Sequence, residues 1–273
     1  MSLVSTKWLL ENKDHVKILD SSWHLPTENR SGLIEYNKEH ISNAIYFDID
    51  ENSDQSSDLP HMLPNRDQWE RIMSSFGILN DDKIVIYDNS NVLSSCRLWF
   101  TFLYFGHRKD LVYVLDGGLD KWKKDNFPTN NRKVKSNISN YKALENNEMV
   151  KSIIEINHNI NNEVFKLIDG RSEDRFNGKA EEPRKGTRQG SIKNSLCLPF
   201  NSVINADKTF KSVDELKSVF KKIFKEENSD NIVFSCGSGI TSCVLALAYS
   251  LINNNYKPTI YDGSWAEYGK ITK

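Results

Sequence analysis

Cysteine is scarce in this chain. There are four in 273 residues and none stands in a Cys-x-x-Cys pair, which argues against a disulfide scaffold and against a zinc site. The same usage suits a reducing, cytoplasmic compartment. Long apolar runs are missing as well: none approaches the roughly 20 residues of a membrane span. Residues 1–20 lack the apolar core of a signal peptide. Charge of one sign is also absent. Lys plus Arg number 36 against 37 for Asp plus Glu, so there is no electrostatic reason to expect nucleic acid or an anionic membrane as partner. The length suits about two domains, each able to bury its own core.

Against this background one stretch stands out, Cys236-Gly237-Ser238-Gly239-Ile240-Thr241-Ser242. It follows the apolar run Asn231–Ser235 and precedes the apolar run Cys243–Ala248. The order is strand, tight glycine loop, helix. Backbone N–H groups of such a loop converge at the positive end of the helix dipole. A thiolate placed there is stabilised, and its nucleophilicity at neutral pH rises. Gly237 and Gly239 permit backbone angles that a side chain opposes. The alternative for Cys236 is a buried structural thiol beside a βα turn.

The chain also repeats itself. Val85-Ile86-Tyr87-Asp88 aligns with Val233-Phe234-Ser235-Cys236, and Leu115–Trp122 aligns with Tyr261–Tyr268. Ile18-Leu19-Asp20 matches Leu167-Ile168-Asp169, and Ile41–Ile45 matches Ile192–Leu196. Asp20 to Asp88 spans 68 positions and Asp169 to Cys236 spans 67. Four matches in order at near-equal spacing indicate a tandem duplication of one α/β unit. Where the second copy has Cys236, the first has Asp88, so only the second half can use a thiol.

Alternating elements agree with two α/β domains, each a mostly parallel sheet flanked by helices. Strands are expected at 16–19, 83–87, 112–115, 164–168, 231–235 and 259–261, and helices at 6–12, 66–76, 94–105, 214–225 and 241–252. Trp69, Ile72, Met73 and Phe76 fall on one helical face and read as core, and Trp99 and Trp122 read as packing residues. The polar, aperiodic run after Pro128 reads as the boundary. The expected division is a catalytically inactive copy over 1–127, a linker over 128–149 and an active copy over 150–273. Cys96, Cys197 and Cys243 are expected to be non-catalytic.

Taken together, the tandem copies, the inactive first half and the Cys-Gly-Ser-Gly-x-Thr loop resemble the two-domain rhodanese superfamily, and within it the 3-mercaptopyruvate sulfurtransferases. Further matching segments are Phe47-Asp48-Ile49-Asp50, His61-Met62-Leu63-Pro64, Leu115–Leu119 and Arg175-Phe176-Asn177-Gly178 through Glu182-Pro183-Arg184. The resemblance covers nearly the whole chain. It implies two rhodanese-like domains and a Cys236 that takes sulfur from a small-molecule donor as a persulfide, passes it to a thiol or cyanide, and releases pyruvate. It implies Arg175 and Arg184 as binders of the donor's carboxylate and keto oxygen, a task suited to guanidinium forks. It implies a proton relay of Ser238, His61 and Asp50, with histidine and aspartate supplied by the first domain and the site between the domains. Gly237, Gly239, Ile240 and Thr241 would complete the donor cradle. No cofactor or metal is called for, and thioredoxin is one candidate acceptor.

Relatives preferring thiosulfate usually carry basic side chains inside the loop, where this chain has Gly237 and Ser238. Thiosulfate:cyanide transfer is therefore the nearer alternative, and a protein-to-protein persulfide carrier the next. A cysteine phosphatase needs an arginine six positions after the nucleophile, and Ser242 stands there.

Overall fold

Short apolar runs closed by Asp, Tyr or Ser become parallel strands, and the amphipathic stretches between them become helices. The structure, a computed structural model, describes residues 2–224 and 231–271. The expected helix end at Lys225 and the domain termini Met1 and Lys273 lie outside the described residues. The chain divides into two units. The first comprises Met1–Gln55, Leu63–Asn146 and Ala206–Phe210, and the second Ser56–Met62, Asn147–Asn205 and Lys211–Lys273.

In the first unit the strands are β1 (Leu3–Val4), β2 (Lys17–Asp20), β3 (His40–Ile41), β4 (Ala44–Tyr46), β5 (Ile84–Tyr87), β6 (Val112–Leu115) and β7 (Thr129–Asn130). The helices are α1 (Thr6–Asn12), α2 (Gly32–Lys38), α3 (Arg66–Ser75), α4 (Ser95–Tyr104) and α5 (Gly118–Lys124). Five strands form a parallel sheet in the order β1-β6-β5-β2-β4, and β3 pairs antiparallel with β7. Val85 and Tyr87 of β5 join a cluster with Leu9, Ile18, Leu119 and Trp122. The alternate residues Ile84 and Ile86 are equally buried, so the sheet is covered on both faces. Trp69 of α3 stacks on Phe105 at 5.0 Å and meets Phe102 edge-on at 5.1 Å.

The second unit repeats this plan. Its strands are β8 (Val150–Lys151), β9 (Lys166–Asp169), β10 (Leu196–Cys197), β11 (Ile232–Ser235) and β12 (Ile260–Tyr261). Its helices are α6 (Ile153–Asn162), α7 (Glu173–Phe176), α8 (Val213–Phe224), α9 (Thr241–Ile252) and α10 (Ser264–Tyr268). The order β10-β9-β11-β12-β8, all parallel, is the first sheet read from its other edge. Val233 packs with Ile156, Leu167, Tyr261 and Trp265. Phe234, pointing the other way, meets Tyr249 of α9 at 6.3 Å and Tyr256 at 6.1 Å. Parallel strands place the loops that follow β9 and β11 at one end of the sheet, where open α/β folds build their sites.

Two details differ from the expected boundaries. Residues 128–146 belong to the first unit rather than to a free linker. Ser139 N–H donates to Ser74 O (2.9 Å), Leu144 N–H to Phe105 O (3.1 Å) and Asn146 N–H to Tyr104 O (2.8 Å). Tyr141 is fully buried, with its hydroxyl 3.1 Å from His107 Nδ1. Residues 56–62, which carry His61, group with the second unit although they precede α3.

Candidate active site

β11 ends at Ser235 and α9 begins at Thr241, so residues 236–240 turn the chain through a tight loop. The start of α10 holds that loop. Trp265 N–H donates to Cys236 O at 3.0 Å and Ala266 N–H to Gly237 O at 2.9 Å. The described peptides are all trans, so the N–H groups of Gly237 and Ser238 point away from α10, into the turn. Cys236 N–H donates to Ser264 Oγ at 3.2 Å. Gly239 has φ +80°, the left-handed region that favours glycine. A methyl group on Gly237 would stand 3.2 Å from Arg175 Nη2, so the bare backbone lets the guanidinium lie against the loop. Ile240, at the N-cap of α9, offers no side-chain cap, which leaves the first N–H groups of a twelve-residue helix for an anion.

Cys236 sits inside this cradle and is buried. Burial alone pushes its thiol up. The Thr241 hydroxyl, the Ser238 and Ser242 amides and the Ser242 side chain outweigh that effect, and the thiol lies below its ordinary value. The buried Ser242 hydroxyl has no nitrogen or oxygen partner and is available to sulfur. Among the other thiols, Cys243 directs its Sγ at Gly239 O (3.2 Å) inside α9. Burial pushes Cys197 up to about 11. Cys96 is enclosed in α4.

Ser238 and His61 meet. His61 Nδ1 is 2.9 Å from Ser238 Oγ and 3.3 Å from Ser238 O, and both residues are buried. His61 has φ +60°, an uncommon conformation for a residue with a side chain, held here by its surroundings. Asp50 belongs to the first unit, where it accepts a hydrogen bond from Trp23 Nε1 at 2.8 Å.

The arginine segment packs beside the loop through a buried ion-pair chain. Arg171, with no exposed side-chain surface, gives Nη2 to Asp169 at 2.7 Å and Nη1 to Glu182 at 2.7 Å. It also donates to Gly190 O at 2.8 Å and lies 4.2 Å from the Trp265 ring. Glu182, nearly as buried, takes Arg175 Nη2 at 2.6 Å and Nε at 3.3 Å. Arg175 is thereby fixed against Gly237, while Arg184 stands exposed further along the segment.

The first copy shows the same frame without the nucleophile. Leu119 N–H donates to Asp88 O at 3.0 Å, as Trp265 N–H does to Cys236 O. Asp88 then fills its own cradle. Oδ1 accepts from Ser90 N–H (2.8 Å) and Ser90 Oγ (3.0 Å), and Oδ2 accepts from Ser95 N–H (2.9 Å). A side-chain carboxylate occupies the place of the sulfur. The strand before it differs too: Asp169 has Arg171 two positions on, whereas Asp20 has Ser22, whose N–H and Oγ it accepts at 2.9 and 2.6 Å. With no cation beside it, buried Asp20 rises to about 6.

Arg171 and Glu182, which hold Arg175 beside the loop, were given no role by motif reading, although Glu182 lies in a matching segment. The Asp-Gly-Arg against Asp-Ser-Ser contrast between the copies was the available signal for Arg171.

Comparison with known proteins agrees with this geometry. The rhodanese-like domain matches residues 5–125 and again 152–270, and the chain belongs to the rhodanese family. It is 36% identical over 97% of its length to the mitochondrial thiosulfate/3-mercaptopyruvate sulfurtransferase 1 of Arabidopsis thaliana, covering 75% of that protein. It is 35% identical over 98% of its length to the 3-mercaptopyruvate sulfurtransferase of Mus musculus, covering 91%. The crystal structure of SseA from Escherichia coli, described as a 3-mercaptopyruvate sulfotransferase, superposes with a TM-score of 0.84 at 31% identity, covering 98% of this chain and all of that one.

Proposed function

We propose that this protein is a sulfurtransferase that takes sulfur from 3-mercaptopyruvate onto Cys236 and hands it to a thiol or cyanide. The observation that carries the reading is the buried Cys236 thiol, held below its ordinary value in a cradle of amides and hydroxyls that contains no basic side chain. Arg175 stands at its edge. In the first step the thiolate attacks the donor's sulfur. An S–S bond forms, the donor's C–S bond breaks, and its electron pair passes to carbon, leaving the enolate of pyruvate. A proton on that carbon completes pyruvate, and the enzyme keeps Cys236 as a persulfide. The Ser238–His61 pair is the candidate carrier of that proton. The amides around the turn stabilise the persulfide anion. In the second step an acceptor nucleophile attacks the outer sulfur, and Cys236 leaves as thiolate. Thioredoxin is a candidate acceptor by its chemistry as a dithiol. A cytoplasmic setting rests on cysteine usage alone, and one relative is named as mitochondrial.

Thiosulfate is the second reading, favoured by relatives such as the thiosulfate sulfurtransferase of Rattus norvegicus, 34% identical over 98% of this chain. The deciding experiment offers the purified protein each donor with cyanide or a dithiol as acceptor and Cys236→Ser as control. Turnover of mercaptopyruvate, lost in the variant and faster than with thiosulfate, upholds the proposal. A thiosulfate preference replaces it with the second reading. Silence with both donors moves the role to a persulfide carrier between proteins.

A further inference from the structure

Glu182 is a buried carboxylate whose hydrogen bonds go to Arg171 and to Arg175, the guanidinium that lies against Gly237. Its Oε2 holds Arg175 Nη2 at 2.6 Å and its Oε1 holds Arg171 Nη1 at 2.7 Å. Arg171 is in turn consumed by Asp169 and the Gly190 carbonyl. The two guanidinium groups of this ion-pair chain are therefore matched by two carboxylates, Asp169 and Glu182, and the chain of four carries no net charge. Arg184 is exposed, where solvent screens it. Glu182 also occupies the Nε and Nη2 edge of Arg175, and so removes one of the two bidentate faces a ligand anion could use.

We propose that Glu182 sets the charge of the donor this site accepts: by cancelling Arg175 it selects a singly charged carboxylate donor over a dianion. This deepens the sulfurtransferase reading and rests on it. A dianion gains about twice what a monoanion gains from each added positive charge, and loses as much when that charge is neutralised. Mercaptopyruvate with its thiol protonated carries one negative charge, and thiosulfate carries two. The bare Gly237-Ser238 loop supplies no cation of its own, so the balance between Arg175 and Glu182 bears directly on a donor bound there. Glu182 acts through Arg175 and is a positioning and charge-setting residue.

The test compares Glu182→Gln and Glu182→Ala, which remove the charge, with Glu182→Asp, which keeps it. The alanine variant places no new N–H group against Arg171, so one neutral variant survives if an amide there disrupts folding. The first readout is the ratio of kcat/KM for thiosulfate to that for mercaptopyruvate. The second is the ratio of alkylation rates at Cys236 by iodoacetate and by iodoacetamide, which differ by one negative charge, read by mass at the Cys236 peptide. Both ratios are expected to rise about tenfold in the neutral variants and to stay at the wild-type value in Glu182→Asp, even where its turnover falls. A merely structural role would slow both members of each pair alike. Unchanged ratios in the neutral variants, or an equal rise in Glu182→Asp, overturn the proposal. If the wild type turns over neither donor, the sulfurtransferase reading falls, while the alkylation ratio still upholds or overturns the role of Glu182.

Discussion

His61 Nδ1 stands 2.9 Å from Ser238 Oγ, joining residues 177 positions apart in a buried pair. A hydroxyl two positions after Cys236, backed by an imidazole, can carry a proton to or from a donor bound at the loop. Ser238→Ala and His61→Asn are each expected to slow single-turnover pyruvate release from mercaptopyruvate by about 10²-fold. Asparagine is chosen because it tolerates the left-handed backbone that His61 adopts. Because the pair acts as a unit, the double variant should be little slower than either single one. Full-rate release by Ser238→Ala would remove the relay.

How much of this was legible in the sequence differs from element to element. The helices Thr6–Asn12 and Thr241–Ile252 and the strand Val112–Leu115 match expectation end to end. They are strongly periodic or wholly apolar, and their ends carry clear signals. The edge strands β1, β8 and β10 are two residues long, too short to show any period, and the tertiary partner alone defines them. Residues 128–146 read as linker because they are held to the first unit by hydrogen bonds, from the backbone and from side chains such as Lys142 to Glu70, and by one buried tyrosine, Tyr141. Neither leaves a compositional trace. At the site, Cys236, Ser238 and the glycines were visible as a motif. Glu182 stood in a matching segment without a role, and only the fold reveals that its carboxylate is buried between two arginines.

The Thr241 hydroxyl is the leading hydrogen-bond contribution that keeps the Cys236 thiol low against the opposing effect of burial. Thr241→Val keeps the shape and removes the donor. The thiol should rise, and the pH–rate profile for alkylation of Cys236 by iodoacetamide should move to higher pH by about one unit, as expected for losing one hydrogen bond to a charged group. A pH–rate profile identical to that of the wild type would assign the stabilisation to the amides alone.

Asp88 gives the first copy an internal anion, which accepts three buried hydrogen bonds, from the Ser90 and Ser95 N–H groups and the Ser90 hydroxyl. Asp88→Ala leaves the two N–H donors without an acceptor, at a cost of about 2 kcal/mol. The unfolding midpoint should drop by several degrees, and millimolar sulfate should recover part of it by entering the vacated cradle. Sulfur transfer at Cys236, measured below the transition, should persist. An unchanged midpoint would mean that the carboxylate contributes nothing there.

Asp20 provides a stability signature with a defined sign. Burial raises its carboxyl from 3.8 to about 6, against the pull of Ser22 and with a push from Asp88. The folded protein then binds this proton more tightly than the unfolded chain does, so stability falls as pH rises through the window between 3.8 and about 6. Below that window the group is neutral in both states and costs nothing. Above it the full penalty applies, about 2–3 kcal/mol. Asp20→Asn keeps an acceptor oxygen for Ser22 and carries no charge. It should therefore be more stable than the wild type by about 2 kcal/mol at pH 7.5, with the difference vanishing near pH 4. Denaturant titrations at the two pH values measure it. Asp116, also raised to about 6 by burial, remains in both proteins and supplies a common slope that cancels in the comparison. Equal stabilities at pH 7.5 would mean that the Asp20 charge is compensated in the folded state, and would remove the contrast drawn between this residue and Asp169 with its arginine.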